Sequence, residues 1–240
     1  MTFVPHKFTV AAMLALVTSL TMAQSSSAQQ GADAVSYSVG LRIWNNQWSA
    51  NALPTIGGRT LVLRAESNGQ KAVPILAGSL RYGDFGVSGS HFFKTSYGFT
   101  DSYLPPGSVS NTRRETDVNL LYFPLPGFSA SVGYKTIGLD GISFKGPILG
   151  ASGSAPIGGN IGMYGTIALG ALKNNLQNRT GYELTEVGFS YLMSSAFPRM
   201  TATLGYRAQR LSIKNVALVG GNQNLRDSIA GLTLGVVASF

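Results

Sequence analysis

The residue types that usually carry catalysis are scarce in this chain. Its 240 residues include no cysteine and two histidines, His6 and His91. A metal site needs several such ligands together, and a nucleophilic pair needs a hydroxyl within hydrogen-bond reach of its base. Residues two apart on a strand share a face, and the positions two away from His91 are Gly89 and Phe93. A Ser-His pair is still possible if the serine comes from a neighbouring strand. We expect no metal and no cofactor.

Charged side chains in one strand phase form the second set of candidates. They alternate with apolar residues and share the phase of small polar ones: Arg42, Arg81, Lys94, Asp117, Lys135, Glu186, Arg207 and Asp227. Five are basic and three are acidic, which predicts a net positive surface wherever they meet. Buried charges persist when they are paired or wetted. The set therefore suits either a water-filled passage or a plug of ion pairs.

The elements that position these residues are predicted to be strands. In GSLRYGDFGVSGSHFF, residues 78–93, Leu80 and Tyr82 share one face before a Gly-Asp turn, and Phe85 and Val87 continue it afterwards. Such alternation around a glycine-containing dipeptide predicts a β-hairpin. The same pattern recurs at 118–134, 161–169, 187–206 and 230–240, and strands are also predicted at 36–48, 72–82 and 143–155.

About ten strands of about ten residues result, the length that a tilted membrane-spanning strand needs. Their connections alternate in length. Tight turns are predicted near 83–84, 124–127, 156–159 and 193–197, and mostly longer connections near 49–71, 96–113, 137–142, 172–180 and 211–225. Short turns on one side and longer loops on the other are typical of transmembrane barrels.

Composition indicates which face lies inside. Charged residues make up 12% of the chain, against about 25% in soluble domains. The chain therefore has too few charged side chains to cover an exterior that faces water. The polar face is mainly Ser, Thr, Gly and Asn, which suits a small lumen. Aromatic residues at both ends of the apolar face predict two interfacial girdles: Tyr82, Phe85, Tyr122, Phe128, Tyr191 and Phe240 near the tight turns, and Phe93, Tyr134 and Tyr206 toward the other end. The fold class is an all-β, antiparallel, up-and-down transmembrane β-barrel.

The first residues predict export. Lys7 precedes the apolar run TVAAMLALVTSLTMA, which has the length of a signal-peptide core. Small residues offer cleavage after Ala23 or Ala28. The predicted organisation is a signal peptide over 1–28 and a barrel domain over 29–240.

The final strand carries a resemblance. SIAGLTLGVVASF places Leu232, Leu234, Val236 and Ala238 on one face and ends in Phe240. With the signal peptide, this pattern resembles the outer-membrane β-barrel proteins of Gram-negative bacteria. The resemblance implies an outer-membrane location and recognition of Leu234, Val236 and Phe240 by the barrel-assembly machinery.

The resemblance leaves function open, because barrels with unrelated activities share it. Barrel enzymes of this size rely on histidine or clustered acids, so we expect no enzyme. A narrow porin-like channel is slightly favoured, and a surface-exposed structural or adhesin-type barrel with a plugged lumen is the alternative. A lipid-modifying enzyme is a minor alternative.

The expected partners are the bilayer and lipopolysaccharide. The basic balance, +8 at pH 7, would suit lipopolysaccharide phosphates rather than nucleic acid. Cations predicted near the long loops could meet those phosphates or be ordinary solvated charge: Arg113, Arg114, Arg210 and Lys214.

Overall fold

The computed structural model describes residues 35–53, 55–56, 59–60, 63–100, 109–175, 179–218 and 221–240. The predicted signal peptide and both cleavage points lie outside these residues. The described chain is all β. Its strands are β1 Val35–Leu53, β2 Thr55–Ile56, β3 Arg59–Thr60, β4 Leu63–Ser67, β5 Lys71–Tyr82, β6 Phe85–Thr100, β7 Val109–Leu125, β8 Phe128–Leu139, β9 Ile142–Gly158, β10 Ile161–Asn174, β11 Arg179–Ser194, β12 Arg199–Leu218 and β13 Gly221–Ser239.

Eleven strands form one antiparallel sheet that closes on itself. Each long strand pairs with its neighbours along the chain, and β13 also pairs with β1, with Val236 opposite Leu41 and Leu234 opposite Ile43. The short β4 pairs with β1 and β6 above the start of β5, so β4 and β5 share one place in the ring. The ring therefore has ten positions, as the alternation predicts. The hairpin β2–β3 stands apart from it.

The alternation of the sequence sets the two faces of this barrel. On β12 and β13, Leu204 lies opposite Leu234, and both side chains are exposed on the outer face. One residue along β13, the side chain of Thr233 points into the barrel and is buried. The same holds around the ring, and the exposed large apolar side chains come from every long strand. Monomeric soluble proteins rarely expose an apolar patch larger than a few hundred Å². This barrel exposes a continuous apolar band.

One end of the barrel, here the turn end, carries the tight connections at 83–84, 126–127, 159–160 and 195–198, where the sequence places them. The first described residues and Phe240 also lie there. The ring of Phe240 stacks on Tyr37 at 4.8 Å, and the rings of Phe85 and Tyr122 are 5.3 Å apart. Aromatic side chains thus gather at the turn end of the apolar band, as predicted.

At the opposite end of the barrel, two of the five predicted connections are shorter than the sequence suggests. The connection near 137–142 is a two-residue turn in which Asp140 and Gly141 both have positive φ (44° and 89°), the backbone of a type I′ hairpin. Most of 211–225 is strand, because β12 runs to Leu218 and β13 begins at Gly221. These strands stay paired well beyond the apolar band, so the predicted boundaries were too short.

No helix in the described part of the chain has the length and apolar character to cross a membrane.

Candidate functional site in the lumen

Small polar side chains line the turn-side half of the lumen. Ser79, Ser88, Ser152 and Thr166 point inward there, from β5, β6, β9 and β10. They line part of a cavity of about 310 Å³ whose wall includes Arg42, Asp117, Glu186 and Arg207. The prediction that Ser, Thr, Gly and Asn dominate the inner face therefore holds for this half. It is wrong for the opposite half, where charged and large apolar side chains meet.

Glu115 on β7 is the centre of a buried ion-pair network. Its Oε1 accepts a hydrogen bond from Arg113 Nε at 2.7 Å. Its Oε2 lies 2.9 Å from Lys135 Nζ and accepts a bond from Gln209 Nε2 at 2.7 Å. Arg113 and Lys135 are each 1% exposed. Three strands, β7, β8 and β12, thus bring their polar side chains to one carboxylate.

Two aspartates extend this network. Arg113 Nη1 donates to Asp227 Oδ1 at 2.6 Å, and Asp227 also accepts a hydrogen bond from the Trp48 indole. Lys135 Nζ lies 3.2 Å from Asp117 Oδ2, which also accepts a bond from the Ser90 hydroxyl at 2.8 Å. Each buried cation therefore has two carboxylate partners, which is the arrangement that offsets the cost of removing charges from water.

Glu186 forms a second ion-pair group closer to the turn end. Its two oxygens pair with Arg42 at 2.8 Å and with Arg207 at 3.2 Å, and Tyr164 donates to Oε1 at 3.0 Å. The Arg207 guanidinium also lies 5.1 Å from the ring centre of Trp44, within the range of a cation–π contact. This group forms part of the wall of the cavity.

Six of the eight predicted inward charges fall in these two groups: Arg42, Asp117, Lys135, Glu186, Arg207 and Asp227. The other two do not. Arg81 is exposed near the turn end, where its Nε donates to the Gly83 carbonyl at 2.8 Å. Lys94 is exposed because a bulge between Phe92 and Thr95 breaks the alternation of β6. Neither joins the enclosed charges.

Arg113 and Glu115 were not predicted as inward residues. Arg113 was assigned to a long loop, yet it is fully inside the barrel and paired with two carboxylates. The signal was available in the sequence, since Arg113, Glu115 and Asp117 follow each other at spacing two and share a phase. The other three predicted loop cations, Arg114, Arg210 and Lys214, are exposed.

The enclosed charges balance, which changes the electrostatic prediction. The basic members are Arg42, Arg113, Lys135 and Arg207, and the acidic members are Glu115, Asp117, Glu186 and Asp227. The net positive lumen expected from the sequence counted Arg81 and Lys94 and omitted Arg113 and Glu115. Among the described residues, four basic and four acidic side chains give no net charge, so the predicted net positive surface is wrong for the enclosed charges.

Two apolar clusters flank the charged network and fill the rest of this half. One comes from β1, β5, β6 and β13, and the other comes from β8 to β12. Their buried members are Trp44, Trp48, Val73, Ile75, Phe92, Tyr97, Phe99 and Ile229 in the first, and Ile137, Phe144, Ile148, Ala168, Leu172, Tyr182, Leu211 and Ile213 in the second. Together the two clusters and the charged network form the plug of the lumen.

His91 lies on the outer face, as its phase predicts. Its Nδ1 is 2.8 Å from the Thr116 hydroxyl on β7, and its ring packs edge-on against Phe93. The hydroxyl residue opposite His91 on the neighbouring strand is therefore a threonine and not the serine that the sequence left open. Among the described residues, no group of His, Cys, Asp and Glu side chains could hold a metal ion.

The three residues assigned to assembly lie on the outer face of β13 or at its end. Leu234 is 61% exposed and Val236 is 39% exposed. Phe240 exchanges both backbone hydrogen bonds with Tyr37, at 3.2 and 2.9 Å. The last residue therefore takes part in the closure of the barrel. A role in recognition by the assembly machinery stays a prediction.

Comparison with known proteins identifies the fold. No protein-family model matches the chain, and no curated protein is similar in sequence. The structure is similar to the outer membrane protease OmpT from Escherichia coli, at 13% identity and a TM-score of 0.53, over 90% of this chain and 100% of that one.

Two further similarities have lower TM-scores. An outer membrane channel from Pseudomonas putida F1 gives 0.36 at 10% identity, over 90% of this chain and 100% of that one. An anion-selective porin from Comamonas acidovorans gives 0.31 at 17% identity, over 80% and 58%. The chain has the fold of the outer-membrane β-barrel proteins.

Proposed function

We propose that this protein is an integral outer-membrane barrel with a closed lumen, and that it acts as a structural, surface-exposed protein rather than as a channel or an enzyme. The observation that carries the proposal is the plug. Arg113 and Lys135, in the interior of the barrel, are each only 1% exposed. The function then belongs to the outer surface and to the strands that extend beyond the apolar band.

The apolar band supports the membrane location. Closing the sheet pairs the backbone of every strand, which hydrocarbon requires of any spanning structure. Exposed Leu, Val, Ile, Tyr and Phe side chains on all ten ring positions would be unfavourable in water and are favourable against lipid. In outer-membrane barrels the short turns face the periplasm. By that rule the turn end here faces the periplasm and the opposite end faces the outside.

The plug favours the closed barrel over the porin-like channel that the sequence slightly favoured. Charges that line an open pore are wetted, because ions and water must pass them. Here the central cations contact carboxylates, Trp48 and Tyr182 instead. The cavity on the turn side is bordered by residues of the plug, among them Asp117 and Tyr182. A solute entering from the turn end would therefore meet a wall of ion pairs and packed rings.

A lipid-modifying enzyme has one observation in its favour, the contact between His91 and Thr116. A hydroxyl nucleophile needs a base that a third group orients. Among the described residues, Thr116 is the only hydrogen-bond partner of His91. The acidic side chains of the plug lie on the other face of the wall and are occupied by cations. The pair lacks its third member, so we propose no catalysis.

Conductance in a planar bilayer tests the closed lumen. We expect the purified full chain to insert without a steady ohmic conductance, while a porin reconstituted in parallel conducts. Reproducible single-channel steps from the unmodified protein would overturn the closed-lumen proposal.

Fractionation tests the location separately. The mature protein should separate with outer membranes and migrate differently on gels before and after heating, and recovery as a soluble periplasmic protein would overturn the membrane proposal.

A further inference from the structure

A row of exposed cations crosses adjacent strands on the outer wall. Lys145 on β9 lies directly opposite Lys173 on β10, and Lys173 lies directly opposite Arg179 on β11. All three side chains are exposed. Lys214 on β12 is also exposed and follows Ile213, which pairs with the residue next to Arg179. Neighbouring strands lie about 4.8 Å apart, so the row places its charges within about 15 Å. It is called the cation row below.

The cation row is unfavourable by itself. Like charges on directly opposite positions of a sheet destabilise the pairing of the strands. Among the described residues, none of the four cations forms an ion pair with a carboxylate. The exposed Arg210 shows the contrast, since it faces Glu183 at 3.4 Å. An anion from outside the chain would supply the compensation that the fold does not.

The position of the cation row fits a lipid headgroup. The next outward positions toward the turn end are Pro147, Ala171 and Gly181. Beyond them the apolar band begins at Leu149 on β9 and Leu169 on β10, whereas the exposed Glu183 comes first on β11. The next outward positions on the other side include Ser143 and Asn175, which are polar and hydrogen-bonded to each other. On β9 and β10 the row therefore lies at the edge of the band, where phosphate groups of the outer leaflet would lie. The small side chains beneath leave room for a bulky headgroup.

We propose that the cation row binds the phosphate groups of a multiply phosphorylated lipid of the outer leaflet, the chemistry of lipopolysaccharide. The inference rests on the proposed membrane location and adds a site to it. It shares Lys214 with the sequence-based expectation, which gave Arg113, Arg114, Arg210 and Lys214 as the cations that could meet such phosphates. Arg113 is inside the barrel and Arg210 is paired with Glu183. Lysines with three rotatable donors suit phosphates whose spacing varies.

Binding to lipid of defined phosphate content tests the site. The full chain in detergent micelles is titrated with bisphosphorylated lipid A in the same detergent, and in parallel with lipid A that has lost both phosphates. We expect binding to the first and not to the second. Each cation near a membrane surface contributes about a fivefold change in affinity. We therefore expect Lys173→Gln to weaken binding about fivefold and Lys145→Gln/Lys173→Gln about 25-fold.

The matched control is Lys94→Gln, an exposed cation on β6 that lies away from the row; we expect unchanged affinity. Equal binding of both lipids, or equal loss in Lys94→Gln and Lys173→Gln, would overturn the proposal. Competition by inorganic pyrophosphate at the same concentration as lipid would identify a free phosphate and overturn the lipid as ligand. Heat-dependent gel migration checks that each variant is folded. A conductance found in the unmodified protein would overturn the closed lumen and leave this binding result unaffected.

Discussion

Glu115 accepts contacts from three side chains inside the barrel, and this residue shows what phase can and cannot predict. Inward charges such as Asp117 and Lys135 could be identified from the alternation of polar and apolar residues alone. Their partners could not, because pairing depends on which strands the closure brings together. Arg113 was missed because a charge near a predicted strand end was read as solvated. Lys94 was misplaced because a single bulge in β6 reverses the phase, and no residue type marks that bulge.

Replacing Glu115 by glutamine tests the plug at this scale. The amide keeps the volume but leaves Arg113 and Lys135 with one carboxylate partner each. Removing one partner of a buried ion pair costs about 3–5 kcal/mol, so we expect a fall of that order in the free energy of unfolding. Guanidinium titration of the barrel in lipid vesicles measures it.

The matched control for this prediction is Glu183→Gln. Glu183 also pairs with an arginine, Arg210 at 3.4 Å, but both side chains are exposed. An exposed pair contributes about 0–1 kcal/mol. A loss in Glu115→Gln no larger than the loss in Glu183→Gln would show that the plug charges are wetted, and so would favour a pore.

At the scale of elements, the strands and the tight turns could be predicted because apolar alternation and Gly or Pro turns are local signals. The opposite end of the barrel could not. Asp140 and Gly141 form a hairpin turn where a longer loop was expected, and β12 and β13 stay paired to Leu218 and Gly221. The interruption between β4 and β5 was also not predicted. There the Trp48 backbone N–H donates to the Ser67 hydroxyl instead of to a strand partner.

A substitution on the outer face of β13 tests whether this side of the strand faces lipid. Val236 lies opposite Leu41 and Ala202, near the middle of the apolar run that ends at Phe240. A charge facing lipid at mid-depth costs about 2–4 kcal/mol for a basic residue and less for aspartate. We expect Val236→Asp to lower the folded fraction, read from heat-dependent gel migration, and Val236→Ala to change it little.

The inner-face control for Val236→Asp is Thr233→Ser, which keeps the hydroxyl of a buried position and should be mild. Gly235→Ser does not serve, because a Cβ there would lie 2.5 Å from Cγ of Arg42. If Val236→Ala impairs folding as much as Val236→Asp, then packing rather than lipid exposure governs this strand.

At the scale of the whole molecule, two features determine the access to the interior that we expect: closure of the sheet, and the difference between the polar and the packed halves of the lumen. Closure could be predicted from the apolar run to Phe240, since an open sheet would leave backbone groups unpaired in lipid. A plug of ion pairs was one of the two arrangements that the sequence left open, but its apolar part could not be predicted, because no local pattern shows that Trp44, Trp48 and Tyr182 meet inside. The interior is therefore asymmetric, with a polar cavity toward the turn end and packed side chains beyond it.

This asymmetry gives a labelling prediction that the lack of cysteine makes direct. Single variants Ser88→Cys, in the cavity wall, and Asn175→Cys, exposed at the opposite end, are reconstituted in vesicles and treated from outside with a small membrane-impermeant thiol reagent. If the plug closes the lumen, each barrel exposes one site or the other, so the labelled fractions should be complementary. Ile229→Cys, buried in the plug, should stay unlabelled. If the labelled fractions of Ser88→Cys and Asn175→Cys sum to well above one, the reagent crosses the lumen and the barrel is open.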